Sequence, residues 1–430
     1  MKSKRLRTPI QETVLAAALV VGAASPGRAE IFWHGFFEGA GGVKISNDQT
    51  KRDNFNLFEQ RAQLKTSYFF EGKNYLTRKR AALNFKGDVT VDEYFNGKTG
   101  FDLRELNLAL SPSSAVDMKM GRQVLTWGTG EYLFINDLFP KDYVSFFTGR
   151  DDEYLKKPSD ALKASLYRAW GNVDVVVSAF EPNTQPEGDR LSFFDPFQGG
   201  IAGVNADRDL LEPPLRFSNN EYHLRFFRSL GSHELALYYF RGFDKNAGST
   251  NDESARQLFS RRLDVYGWSV RGPFSGGIGN LEFGYYNSRD DSGGTNRLIE
   301  NSMVKVLSGY EKDLGHDFKA GVQYLFEQRR QYDDYEAGLL PADFVFDEFR
   351  HLVTQRLTKL YKNQTVTVFL FNFYSPSDRD GYVRPGVAYQ PTDPWNITLG
   401  ANIPWGEDEI TEFGQMKRNK NIDIRARYSF

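Results

Sequence analysis

The chain has 430 residues, a formal net charge of -2, no cysteine and 15% aromatic residues, with 36 Phe and 22 Tyr. The balanced charge offers no global field for nucleic acid, and without cysteine there are no disulfides, thiolate metal sites, iron–sulfur clusters or covalently attached c-type haem. No apolar run reaches the roughly 18 residues that a spanning helix needs, which excludes a helical membrane protein but not one that crosses with strands.

The chain begins with Lys2, Lys4, Arg5 and Arg7, followed by an apolar core at 14–24 and the small-residue site Gly27-Arg28-Ala29. That pattern predicts a cleaved secretory signal over 1–29, with the mature chain over 30–430.

Beyond it the alternation has a period of two. Residues 31–43 read as a first strand, and 56–70 as one of the clearest. In the latter Phe58, Ala62, Leu64, Thr66, Tyr68 and Phe70 share one face, while Glu59, Arg61, Gln63, Lys65 and Ser67 share the other. Several consecutive polar residues on one side of a strand argue for water there and for lipid on the opposite side. The pattern recurs at 80–92, 103–110, 116–126, 160–169, 172–181, 219–229, 232–243, 262–272, 279–288, 302–312 and 316–328. It continues at 348–360, 363–374, 380–390, 394–404 and 420–430. Strand 348–360 alternates poorly, and 380–390 carries Pro385, which suits a sheet edge or bulge. In the last strand Ile422, Ile424, Ala426, Tyr428 and Phe430 oppose Asp423, Arg425, Arg427 and Ser429. Short connections at 111–114, 169–171, 229–231, 313–315, 360–363 and 390–393 alternate with long polar ones at 128–159, 182–218, 244–261, 289–301, 329–347 and 405–419. The fold class expected is all-β: one closed antiparallel transmembrane barrel of about 18 strands (about 16 would satisfy the same pattern), with short periplasmic turns and long extracellular loops.

No catalytic constellation stands out, so no enzyme activity is expected. His34, His223, His233, His316 and His351 show no metal-ligand spacing, and no metal or cofactor is expected. The glycine clusters at 127–130 and 275–279 precede no amphipathic helix and read as turns, not phosphate cradles. Acidic clusters Asp151-Asp152-Glu153, Asp290-Asp291 and Asp333-Asp334 read as solvated charges of the outer loops. Function is expected from the polar parity. Glu59, Arg61, Lys65, Arg80, Lys86, Glu105, Lys119, Arg225, Lys319, Arg425 and Arg427 are the expected pore-lining residues. Charges of both signs around a wet bore sort small solutes by charge and size, and a slight basic excess points to anions. The same charges could instead pair across strands and fill the barrel.

Residues 121–163 are too long and aromatic for a simple connector, and long connections are usually functional. Within them Gly121-Arg122-Gln123, Trp127-Gly128, Asn136-Asp137-Leu138 and Pro140-Lys141-Asp142 form a block. It resembles one in proteobacterial outer-membrane barrels that include the alginate-export-like family and a related family of unknown function. The chain end at Phe430 similarly resembles the signature through which the barrel assembly machinery reads the last strand of such proteins. Together these resemblances imply a porin-type channel in the outer membrane of a Gram-negative bacterium, surrounded by lipid and lipopolysaccharide. Porins commonly form trimers, so a homo-oligomer is compatible, although no interface patch stands out. Porins also fold a loop near this position into the bore, which makes Arg122, Lys141, Arg150, Asp151 and Asp152 the expected constriction residues. The expected function is passive diffusion of small hydrophilic solutes. The alternatives are a barrel sheath around a periplasmic electron-carrying partner, and a polysaccharide export channel.

Overall fold

The computed structural model describes residues 31–46, 50, 54–71, 78–186, 188–206, 208–341 and 343–430. The expected signal segment lies outside them. Eighteen strands form one antiparallel sheet. They are β1 (Ile31–Lys44), β2 (Phe55–Glu71), β3 (Arg78–Asp92), β4 (Lys98–Ser113), β5 (Val116–Val124) and β6 (Pro158–Arg168). Next come β7 (Gly171–Ser178), β8 (Glu221–Leu230), β9 (His233–Phe243), β10 (Arg262–Phe274), β11 (Gly277–Ser288) and β12 (Met303–Asp313). The last six are β13 (Phe318–Arg329), β14 (Phe349–Tyr361), β15 (Val366–Ser375), β16 (Asp380–Thr392), β17 (Trp395–Gly406) and β18 (Asn421–Ser429).

Each strand pairs with the next in the chain, and β18 pairs with β1 through Ser429↔Phe36, Arg427↔Glu38 and Arg425↔Ala40. Closure removes both sheet edges, so every strand finds hydrogen-bonding partners on both sides, as a membrane crossing demands. Tight turns close the hairpins at one end; at Ser275-Gly276 both residues take positive φ (47° and 78°), which matches the right-handed strand twist.

Alternation sorts the two faces. Phe37 (58% exposed), Leu237 (58%), Leu399 (52%) and Ile424 (53%) stand outward, whereas Asp88, Glu282 and Asp423 are buried on the inner face. An apolar exterior around a polar interior is the reverse of a water-soluble barrel, and it fits lipid outside. Strand β4 is longer than the alternation predicts. A bulge opposite Lys86/Gly87 adds Arg104 between Leu103 and Glu105 and shifts the parity, so the sequence pattern breaks where the strand continues.

The bore is not wet throughout. Inner-face Phe240, Leu263, Val265, Tyr286, Leu307, Leu325, Leu352, Phe371, Phe373 and Tyr382, from β9 to β16, form an apolar core. They pack against Leu133, Ile135, Phe146, Phe147 and Leu155 of the connection after β5, which runs inside the barrel. An internal loop with apolar side chains needs apolar partners, and half of the inner wall supplies them.

Candidate pore constriction

The connection 125–157 is anchored before it reaches the middle of the bore. Gln123 is fully buried and donates to the carbonyls of Gly121 and Ala161, fixing the exit of β5. Trp127 packs edge-on against Phe139. Buried Glu282 of β11 accepts from the backbone N–H groups of Thr129 and Gly130 and from the Asn136 amide, and so holds the glycine turn at 128–130. Lys141 is buried and paired with Asp137 at 3.0 Å; burial pulls its ammonium below the usual lysine range, against the pull of Asp137. The recognisable block therefore builds the loop, with Asp137, Leu138 and Lys141 also beside a cavity toward the long loops.

Asp142 caps a short helix α1 (Tyr143–Thr148), accepting from Ser145 N at 3.1 Å. The wall receives the other end of α1. Tyr382, Asn421 and Asn56 donate to the carbonyls of Phe146, Phe147 and Thr148 at 3.3, 3.1 and 3.1 Å. These carbonyls have no partner within the helix, so the barrel itself provides the cap. Gly149 leaves the helix at φ 83°, and a Cβ there would collide with the Asp423 carboxylate.

The chain then runs along the charged side of the wall. Arg150 pairs with Glu59 at 2.7 Å. Asp151 meets Arg425 at 3.2 Å and Arg427 at 3.3 Å. Asp152 meets Arg384 at 3.1 Å and accepts from the Tyr132 hydroxyl, and Glu153 meets Lys86 at 2.9 Å. Tyr154 lies under the Arg61 guanidinium, 4.1 Å from its ring centre, with Arg104 at 4.7 Å. Arg104 also donates to the carbonyls of Glu153 and Lys156. Burial opposes ionisation of Asp151, but Arg427 and Arg425 hold its carboxyl below the usual range. At Glu131 burial prevails over Arg356 and raises the carboxyl.

Between loop and wall a gap of about 200 Å³ remains, lined by Asp151, Asp152, Arg356, Arg384 and Arg425, with Tyr132 and Phe371 beside them. A second cavity of about 300 Å³ lies past the Glu131–Arg356 ion pair and includes Lys156, Arg271 and Gln323. A third of about 500 Å³ lies toward the long loops, among Phe134, Tyr143, Lys245 and Arg350.

The expected residues divide accordingly. Asp151, Asp152 and Arg425 line the gap, and Arg427 and Lys86 hold its acidic lip. Glu59 and Arg61 are buried beneath the loop, tied to Arg150 and Asp88. Glu105 with Lys119, and Arg225 with Glu234, are cross-strand pairs at 3.4 and 2.6 Å. Lys65 and Lys319 are exposed on the bore side of their strands. Arg80 falls within β3, but its side chain lies outside the described residues. Of the remaining constriction candidates, Arg150 is pinned by Glu59 and Lys141 is buried within the loop. Arg122 pairs with Asp160 at 3.4 Å on the outward parity of its strand and donates to the Leu103 carbonyl. The cluster Asp151-Asp152-Glu153 is a correction: it sits inside the bore against arginine and lysine, not in an outer loop.

Arg356, Arg384, Glu131 and Arg104 complete the site, and sequence reasoning did not select them. Arg356 and Arg384 belong to the two strands whose alternation reads worst. Their inner faces also carry Leu352 and Tyr382, so both sides look apolar in the sequence.

No protein-family model matches the chain, and no curated protein does; the alginate-export-like resemblance rests on its motif alone. Solved structures do match. OccK11 (OpdR) of Pseudomonas aeruginosa aligns over 94% of this chain and 95% of its own, at 8% identity and a TM-score of 0.52. OccD3 (OpdP) of the same organism aligns over 93% and 91%, at 11% identity and a TM-score of 0.52. The fold is that of a Gram-negative outer-membrane porin. At such identity the likeness extends to the fold and no further.

Proposed function

We propose that the chain is an outer-membrane channel for passive diffusion of small hydrophilic solutes, with a preference for anions. One observation carries this reading: the gap beside the internal loop, where Arg356, Arg384 and Arg425 face Asp151 and Asp152. Arg356 is also paired with Glu131, but burial raises that carboxyl toward its neutral form, which leaves a basic surface at a narrow place, where low surrounding dielectric strengthens its effect on a passing ion. Exposed Lys65 and Lys319 on the bore side add to the same bias. The remaining spaces, about 200 to 500 Å³, suit small molecules more than a protein partner or a polysaccharide chain threaded through the barrel. On this reading the β18 strand ending at Phe430 is also the part presented to the barrel assembly machinery.

The test is the reversal potential of purified protein in planar bilayers under a potassium chloride gradient. A conducting pore with chloride permeating faster than potassium is expected. A cation-selective pore overturns the anion preference, and a bilayer with inserted but non-conducting protein overturns the channel itself.

A further inference from the structure

The outer surface carries a second polar feature. At the long-loop ends of β9, β10 and β11, three arginines lie on the outward-facing parity: Arg241, Arg262 and Arg289. Directly below them on the same parity are Tyr239 and Tyr266, with ring centres 5.2 Å apart, and then Leu237 and Trp268. That sequence of layers, apolar then aromatic then cationic, crosses the boundary from hydrocarbon to headgroup.

The arginines are incompletely neutralised. Asp264 serves both Arg241 (4.0 Å) and Arg289 (3.6 Å), and Asp290 serves Arg262 (2.6 Å). Two carboxylates therefore balance three guanidiniums, and the side chains of Arg241 and Arg262 remain 50% and 55% exposed. Next to them an open pocket of about 490 Å³ is lined by Arg262, Asp290 and Glu212 together with the apolar Leu211, Pro213, Pro214 and Phe243. The segment that forms its apolar side continues with exposed Leu215 and Phe217 (81%). Apolar side chains left open beside a cation cluster match an amphiphile with an anionic head.

We propose that this rim binds lipopolysaccharide of the outer leaflet, with a lipid A phosphate among Arg241, Arg262 and Arg289 and the adjoining part of the glycolipid in the neighbouring pocket. The proposal rests on the outer-membrane reading, because it needs the long-loop end to face that leaflet. Guanidinium forks match phosphate geometry, and three on adjoining strands can engage one phosphate from several sides.

The test compares the purified full-length protein in detergent with the triple variants R241A/R262A/R289A and R241K/R262K/R289K. Each is titrated with diphosphoryl lipid A and with lipid A stripped of both phosphates, and bound lipid is read by native mass spectrometry. Wild type is expected to retain the diphosphoryl form. The alanine variant should bind it roughly tenfold or more weakly, with lysine intermediate, since each charge-assisted bond contributes on the order of a factor of ten. Equal retention by wild type and the alanine variant, or equal retention of the two lipids, overturns the proposal. So does loss of an oligomer without loss of lipid, which would assign the rim to a second copy of the chain. Bilayer conductance of the same samples separates the two readings. Wild type that conducts but retains no diphosphoryl lipid A refutes the rim alone, whereas absent conductance in wild type refutes the channel.

Discussion

The bore has two unlike walls, and the internal loop is attached to each in a different way. From β9 to β16 its apolar side chains meet aromatic and aliphatic partners, with Phe146 packed edge-on against Phe373 and Tyr382. From β16 through β18 and on to β5 it meets charges instead, through Arg384, Arg425, Arg427, Glu59 and Lys86. Packing is non-directional and insensitive to salt, so the first wall fixes where the loop lies. Those of its ion pairs that face bore water, such as Arg384 with Asp152, are worth little net stability, but they set the local potential. On the proposed channel reading, one wall would give the constriction its position and the other its selectivity.

The strongest way to break this division is Phe146→Ala. Truncating a buried aromatic should cost about 3–5 kcal/mol of docking on the apolar side. Hydrogen exchange over 143–155 should accelerate, and single-channel records should show a larger, noisier conductance. If conductance and exchange stay at wild-type values, the apolar wall does not position the loop. The complementary change is Arg425→Ala with Arg427→Ala. It should leave conductance nearly unaltered while lowering the chloride-to-potassium permeability ratio about fivefold, as expected when charges worth on the order of 1 kcal/mol to a passing ion are removed. A ratio unmoved by the double substitution would place selectivity elsewhere in the bore.

Smaller effects sharpen the boundary between the walls. Asn421→Ala or Asn56→Ala leaves one α1 carbonyl uncapped, and each should weaken loop docking by about 1 kcal/mol, read as faster exchange in the last turn of that helix. The smallest effect concerns acid. Because Arg427 and Arg425 hold Asp151 below the ordinary carboxylate range, its contribution to docking is complete above the unfolded value of about 3.9 and is lost only as pH falls through the depressed value. Selectivity should therefore be flat through the Asp151 contribution until pH falls through that depressed value, and then turn further toward anions as the aspartate loses its charge and frees both arginines. Asp151→Asn should show that added anion preference already at neutral pH.

Much of the barrel was legible because each strand repeats one instruction. A greasy side alternates with a wet side at period two, as in Ile422, Ile424 and Ala426 against Asp423, Arg425 and Arg427, and a closed wall needs little more. The exceptions are local and physical. In β4 a bulge at Arg104 broke the alternation, and in β14 and β16 the inner faces of Leu352 and Tyr382 had turned apolar to receive the loop. The constriction was half legible. Asp151 and Asp152 could be picked from a conspicuous loop. Their partners Arg384 and Arg425 lie more than two hundred positions away, and only the three-dimensional path of that loop brings them together. Lys141 and Arg122 attracted notice as charges, but their work is to hold backbone in place.

The seam between β1 and β18 has a kinetic consequence. Arg427 reaches Glu38 across 389 positions of sequence, and Gly35 exchanges backbone hydrogen bonds with Phe430. Every other strand pairing of the sheet joins neighbours in the chain, whereas this one waits for the two most distant strands to meet. Until then both flanks present rows of unsatisfied amides, which invite pairing with any passing chain. Sealing the cylinder is thus expected to be the slow, exposed step of its biogenesis, and a helper that shields those two flanks together would act at the point of greatest hazard.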